Sequence, residues 1–488
     1  MKNLIGKNFK ELLTLDLRSL GLMRIAVSLT LIIDLIIRFS DLDPHYTNQG
    51  ILPLEALFRH GWSHYNFSIY TITGSYELLS LLFLLNLMAA LCLLFGYKTR
   101  VFTIVCWIFL LSLHNRNPFI LQAGDDFLRL TLFWAIFLPW GYCYSIDNLK
   151  MSRLPEQGYS YFSLAALAYV LQIFSMYFFS ALLKSGPEWN SEFTALYYTL
   201  SLDQILLPAG KLLYSFPELL IYLTAVVYYI ELVFPFILFS PYKKEWCRGL
   251  FFVVISLFHI GIALCLNVGL FPLISVACMT GLIPTRFIEF IASSGLFRKT
   301  GIMMNKWRAL IGFPAEASFP KENFTAASLA FFFLCMGFLW NIQTSFRPSS
   351  FSIEKENWIV RIFRIDQNWG MFAPAVFRDD GWFILEGRTA KGEVIDILQE
   401  GKKPEYNKPV YVAGMFKNDR WRKYSENVLM IHYNFLRPYY CSYMMNRWNS
   451  EHEENISKLD IIYMKEVTLP GYKTEPVKKE ILCSCELK

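Results

Sequence analysis

Runs of roughly twenty apolar residues, repeated along the chain as far as residue 342, constrain it more than any other feature. A helix of that length crosses the hydrocarbon core of a bilayer. Within that core only helices and closed barrels satisfy every backbone polar group. Nine segments read as membrane helices, at about residues 20–38, 77–95, 101–114, 127–143, 161–183, 217–239, 249–266, 268–283 and 323–342. The third and eighth are short, which implies tilt, partial re-entry or merger with a neighbour. Residues 195–213 are amphipathic and interrupted by proline, the pattern of an interfacial or re-entrant helix. Composition agrees: 54% of residues are apolar and 18% charged, where a soluble chain carries about a quarter charged.

The net charge of +6 is not a nucleic-acid footprint, because the basic residues sit mostly in short loops between apolar runs. With the N-terminus cytoplasmic, the inside segments hold Lys2, Lys7, Lys10 and Arg18, then Lys98 and Arg100, then Lys150 and Arg153. Further inside segments hold Lys243, Lys244 and Arg248, and then Arg286, Arg298, Lys299, Lys306, Arg308 and Lys321. The outside loops hold only Arg59, Arg116 and Lys211, with Lys184 set apart. This asymmetry predicts nine spans and an extracytoplasmic C-terminus. No apolar core with a cleavage site precedes the first span, so that helix is expected to serve as an uncleaved signal.

From about residue 343 the sequence turns polar and aromatic. The expected fold is therefore an all-α polytopic membrane bundle (1–342) followed by a small α+β soluble domain (343–488). Residues 382–398 alternate like a β-hairpin turning near Lys391 and Gly392, and residues 419–449 read as helical. Cys92, Cys106, Cys265, Cys278 and Cys335 fall in apolar runs and read as small buried hydrophobes. Cys483 and Cys485 form a C-x-C that suits either a metal or a disulfide, and no second pair completes a zinc site.

Ionisable groups in hydrocarbon cost at least a few kcal/mol each and often mark function. Arg24 and Asp34 lie in the first span, Arg129 in the fourth, Lys184 at the end of the fifth, Glu231 in the sixth and His259 in the seventh. Asp125 and Asp126 immediately precede the fourth. The derived topology brings Lys184, His259, Asp125, Asp126, Arg129 and Asp34 to one leaflet, while Arg24 and Glu231 fall nearer the inner side. Each has a plain alternative. Lys184 can snorkel to the interface; Asp125 and Asp126 can cap a helix and complement its dipole. Arg129 can pair one turn on, His259 can bond across helices, and Asp34 with Arg24 can form an internal ion pair.

The stretches LMRIAVSLTLIIDL (22–35), HYTNQGILP (45–53), LLFGYKTR (93–100) and NPFILQAGDDFLRLTLFWAIFLPWG (117–141) carry a resemblance. So do SID (145–147), YFFSALLKSGPEW (177–189), YTLSLDQ (198–204), FHIGIALCLNVGLFP (258–272) and DQNWGMFAPAVFRDDGW (366–382). Taken in order, they resemble the vitamin K-dependent γ-carboxylase family and its bacterial relatives, the horizontally transferred transmembrane domain proteins. The resemblance implies a bacterial inner membrane location and a base function for Lys184, which matches the second lysine of the family motif; Leu183 stands at the first. In the family that base deprotonates a vitamin K hydroquinone, reaction with O2 yields a stronger base, and CO2 adds to the resulting glutamate carbanion. His259 matches a family histidine, whereas carboxylates stand near Gly124–Asp126 where the family has another.

The leading expectation is thus a γ-glutamyl carboxylase-like lyase and quinone epoxidase that modifies a secreted peptide or protein on the non-cytoplasmic face. Lys184 and His259 would be catalytic. Asp125, Asp126, Arg129 and Asp34 would orient substrate or stabilise charge, and Tyr177 and Tyr198 would wall a pocket for reduced vitamin K or a menaquinone-type quinone. No metal is expected. The alternative is a non-catalytic maturation, immunity or export factor for a secreted peptide. A transporter is disfavoured because no inverted repeat or matched pair of broken helices is visible.

Overall fold

The computed structural model describes residues 13–148, 158–293, 321–346 and 358–486. The basic residues Lys2, Lys7, Lys10, Lys150, Arg153, Arg298, Lys299, Lys306 and Arg308 lie outside the described residues. Six described helices are long and apolar enough to cross a membrane. They are α1 (Leu17–Phe39), α2 (Tyr76–Phe95), α5 (Leu164–Leu183), α6 (Pro217–Leu232, continued by a 3₁₀ turn to Phe239), α7 (Lys244–Cys265) and α9 (Phe324–Phe346). The other three expected spans correspond to α3 (Thr99–Arg116), α4 (Ala123–Ala135) and α8 (Phe271–Met279). α4 and α8 are short, and α3 carries arginines at both ends.

Local chemistry sets these boundaries. Asp16 caps α1 by accepting the Arg18 N–H, and the Ser163 hydroxyl accepts the Ala166 N–H at the start of α5. α2 ends on Gly96 at φ 69°, where a Cβ would lie 2.3 Å from Ser145. Pro235 interrupts the sixth span just beyond Glu231 and tightens its last turns into 3₁₀. The outer helices leave broad apolar faces bare: Leu78, Leu81, Leu84 and Met88 on α2, Tyr222, Val226 and Tyr229 on α6, and Leu250, Leu257 and Leu264 on α7. Water does not tolerate faces of that extent, and a bilayer does.

The C-terminal part is a sheet backed by two helices. Strands β3 (Asp379–Thr389), β4 (Val394–Asp396), β5 (Ile456–Leu469) and β7 (Lys478–Glu486) run antiparallel in the order β4-β3-β5-β7, and β6 (Lys473–Thr474) pairs the end of β5. β1 (Leu15–Asp16) and β2 (Ser160–Tyr161) form a separate small ribbon against the bundle. The hairpin through Lys391 and Gly392 is present as expected, with Gly387 opposite Ile395. Residues 419–449 form two helices, α10 (Asp419–Leu429) and α11 (Leu436–Glu451). Cys485 on β7 is disulfide-bonded to Cys441 on α11, so the C-x-C does not close on itself and Cys483 is free.

Residues 364–369 belong to the bundle rather than to the soluble domain in which the sequence placed them. The Gln172 amide donates to Gln367 Oε1 at 2.7 Å, the Trp340 indole donates to the Gln367 carbonyl, and Trp369 is buried against Phe127. The rest of the domain caps the same end of the bundle. Asp380 accepts the backbone N–H groups of Asp203 and Gln204, and Lys417, Asn418 and Trp421 all donate to Asp41.

Candidate functional site

Three polar units gather at the capped end. The first is built on the 177, 180, 184 face of α5, residues that helical periodicity stacks on one side. Lys184 is the C-cap of α5 and is only 3% exposed. Its amine donates to Ser180 Oγ at 2.9 Å and forms an ion pair with the Glu231 carboxylate. The Trp189 ring stands 5.0 Å from Nζ. Of the two alternatives for Lys184, burial of the amine rules out snorkelling to headgroups. One reading is corrected here: Glu231, which the sequence set on the inner side and outside the cluster, is the partner of Lys184. The reason is that residues 185–199 climb alongside α6, with the Leu196 N–H donating to Thr224 Oγ1. The end of α5 is thereby level with Glu231 on α6.

Below Lys184 on the same face, the Tyr177 hydroxyl meets His259 Nε2 at 2.8 Å and donates to Met279 Sδ. His259 Nδ1 is buried without a partner, among the rings of Phe258, Phe271 and Tyr177. Tyr198 packs in the same apolar cluster as Trp189, with the Arg378 guanidinium 4.5 Å over its ring.

The second unit sits across Phe271 from the first; a Cβ on Gly124 would lie 3.2 Å from Phe271 Cα. Arg38 donates to Asp34 at 2.7 Å and to Asp125 at 2.6 Å, and Arg420 donates to Asp34 at 2.8 Å and to Asp125 at 2.7 Å. Tyr46 accepts the remaining Arg38 nitrogen. Asp125 also accepts the Gln122 N–H, which makes it the first-turn acid of α4. The alternative Asp34–Arg24 pair does not form: Arg24 reaches the other end of the bundle and donates to the carbonyls of Leu93, Leu94 and Tyr144.

In the third unit Arg129 donates to Asp126 at 2.7 Å and to the carbonyls of Arg364 and Asp366. His114 joins the second and third units, its Nδ1 3.1 Å from Arg129 and its Nε2 3.6 Å from Asp125. Sequence reasoning missed His114, Arg38 and Arg420. Arg38 had a signal, since it follows Asp34 by four residues on a helix; Arg420, in a segment read as soluble, had none.

The structure thus brings Lys184 and His259 to one face of α5 while holding Asp34 and Asp125 in a closed arginine network. Asp126 and Arg129 anchor the re-entrant 364–369 segment. A cavity of about 40 Å³ lies at the opposite end of the bundle, lined by Asp16, Lys244 and Thr285 among others. Among the described residues no group of three His, Cys, Asp or Glu side chains is placed to hold a metal. No family model, curated protein or solved structure matches this chain.

Proposed function

We propose that this protein is a membrane enzyme of the γ-carboxylase-like type, in which Lys184 is the base toward a lipophilic hydroquinone at the non-cytoplasmic side of the membrane. One observation carries the reading: the Lys184 amine is closed off from solvent and held by a hydroxyl, a carboxylate and an indole ring. An amine kept from water and beside a proton acceptor is what general-base chemistry needs. The unpartnered His259 Nδ1 among aromatic rings fits a quinone, whose flat apolar ring carries polar oxygens.

A bound reduced quinone supplies the reducing equivalents for O2 and a weakly acidic hydroxyl. The residues do the rest. Lys184 passes its proton to Glu231 and becomes a neutral amine able to accept another. Ser180 fixes the amine, Trp189 shields it from water, and His259 would hold an oxygen of the bound ring. Coupling to proton removal from a peptide glutamate and addition of CO2 follows from the family resemblance.

The orientation belongs to the same proposal. A disulfide in the C-terminal domain suits an oxidising compartment. With α3, α4 and α8 as short crossings the spans number nine, the N-terminus is cytoplasmic and the domain extracytoplasmic, in a bacterial inner membrane. A second reading has its own support: Asp34 and Asp125 are saturated by arginine, as in a scaffold for the maturation, immunity or export of a secreted peptide. Extracting the lipids that co-purify with the protein and identifying them by mass spectrometry separates the two. The enzyme reading expects a quinone enriched over an unrelated membrane protein prepared alongside; no enrichment favours the scaffold.

A further inference from the structure

Lys184 lies beneath a strap. After buried Trp369 the chain leaves the bundle and crosses residues 186–189, the loop that follows Lys184. It is attached at alternate residues. The Phe372 carbonyl accepts the Trp189 indole N–H at 2.9 Å, and the Pro374 carbonyl accepts the Gly186 N–H at 2.9 Å. The Val376 N–H donates to Glu188 Oε1 at 2.9 Å. Pro374 and Ala375 are exposed, whereas Glu188 and Trp189 beneath them are buried. The bond to Phe372 also orients the indole whose ring stands over the Lys184 amine. Strap, ring and amine therefore lie in sequence from outside to inside.

We infer that residues 370–376 are a gate over Lys184, and that the loop beneath them is a binding groove for a bent polypeptide segment that displaces the strap. The groove offers two N–H donors and one carboxylate acceptor. The strap meets them with two carbonyls and an N–H, on a chain that bends at Phe372, whose φ is 53°. This is recognition of main-chain groups, and a peptide that follows the bend lies directly outside the indole. The inference deepens the peptide-modifying reading above and rests on it for the identity of the partner.

The test reads the accessibility of Lys184, which does not depend on quinone turnover. A protease recognition sequence is inserted between Pro374 and Ala375 and cut after the full-length protein has been purified. Acetylation of Lys184 by an N-hydroxysuccinimide ester is then followed by mass spectrometry, with exposed Lys211 as the internal reference. Cutting is expected to raise Lys184 labelling on the order of a hundredfold, as three hydrogen bonds are lost. A synthetic peptide of residues 369–377 should restore protection, and a scrambled peptide should not. Trp189→Phe, which keeps the ring and loses the bond to Phe372, should raise labelling in the uncut protein. Unchanged labelling after cutting overturns the gate. A rise that the peptide fails to reverse overturns the groove.

Discussion

Replacing Arg420 with Met tests what holds the C-terminal domain to the bundle. Arg38, Arg420, Asp34 and Asp125 sum to zero charge, and none of these side chains is more than 5% exposed. The substitution deletes two donations to Asp125, one to Asp34 and one to the Ile120 carbonyl. It leaves two buried carboxylates sharing one guanidinium. At an effective dielectric of about 20, each contact near 2.7–2.8 Å represents about 6 kcal/mol of gross attraction. Much of that is offset by the desolvation of Arg420 and its repulsion from Arg38. The expected net loss is about 3–5 kcal/mol, the range found when one partner of a buried pair is removed. Adding Asp34→Asn restores neutrality and should recover more than half of it. Arg420→Lys keeps the charge without the fork and should fall between. Tryptophan-fluorescence melting in detergent measures all three, with limited proteolysis reporting whether the domain has detached. The reasoning is refuted if Arg420→Met melts with wild type, or if the double variant is no more stable than the single.

Three further outcomes follow from the same geometry. Glu231→Ala strands a buried ammonium and should cost about 3–5 kcal/mol, whereas Lys184→Met with Glu231→Met should be more stable than either single change, again by melting. Burial pushes the Asp380 carboxyl up to about 7 despite the N–H groups of Gly381, Asp203 and Gln204 that favour its charge. Its folded value lies above the unfolded one, so its contribution to stability is full in acid and is lost as pH rises through about 7. Melting points should therefore fall from pH 5 to pH 8 more steeply in wild type than in Asp380→Asn, and equal slopes would contradict this. Cys441→Ser opens a loop of 44 residues and should destabilise the domain by about 4 kcal/mol, while non-reducing peptide mapping of wild type should recover Cys441 joined to Cys485.

Much of the bundle is legible in the chain because hydrocarbon demands long apolar helices, and six of them stand where the apolar runs lie. The Lys391–Gly392 hairpin is legible for a related reason, since alternation and a turn residue leave few other folds. What was not legible are contacts made by chain excursions. Glu231 looked remote from Lys184 because each span was assigned a depth as if it began at the membrane surface; residues 185–199 rise along α6 and shift that register. Arg420 carries no local sign that it will enter a network with Asp34 and Asp125. The pairing of Cys485 with Cys441 depends on α11 packing behind β7, which spacing alone does not give. The 364–369 segment is polar enough to read as soluble, yet its Gln and Asp groups find partners inside the bundle.

The most direct test of the central claim is hydroquinone oxidation by the purified protein in detergent, compared among wild type, Lys184→Ala and Lys211→Ala. Lys211 lies outside the Lys184 motif and on the protein surface. Turnover is expected from wild type and from Lys211→Ala, and none from Lys184→Ala that has inserted and still carries its folded C-terminal domain. Equal turnover by wild type and Lys184→Ala would remove Lys184 as the base. No turnover by wild type with any naphthoquinone or benzoquinone would contradict the enzyme reading altogether.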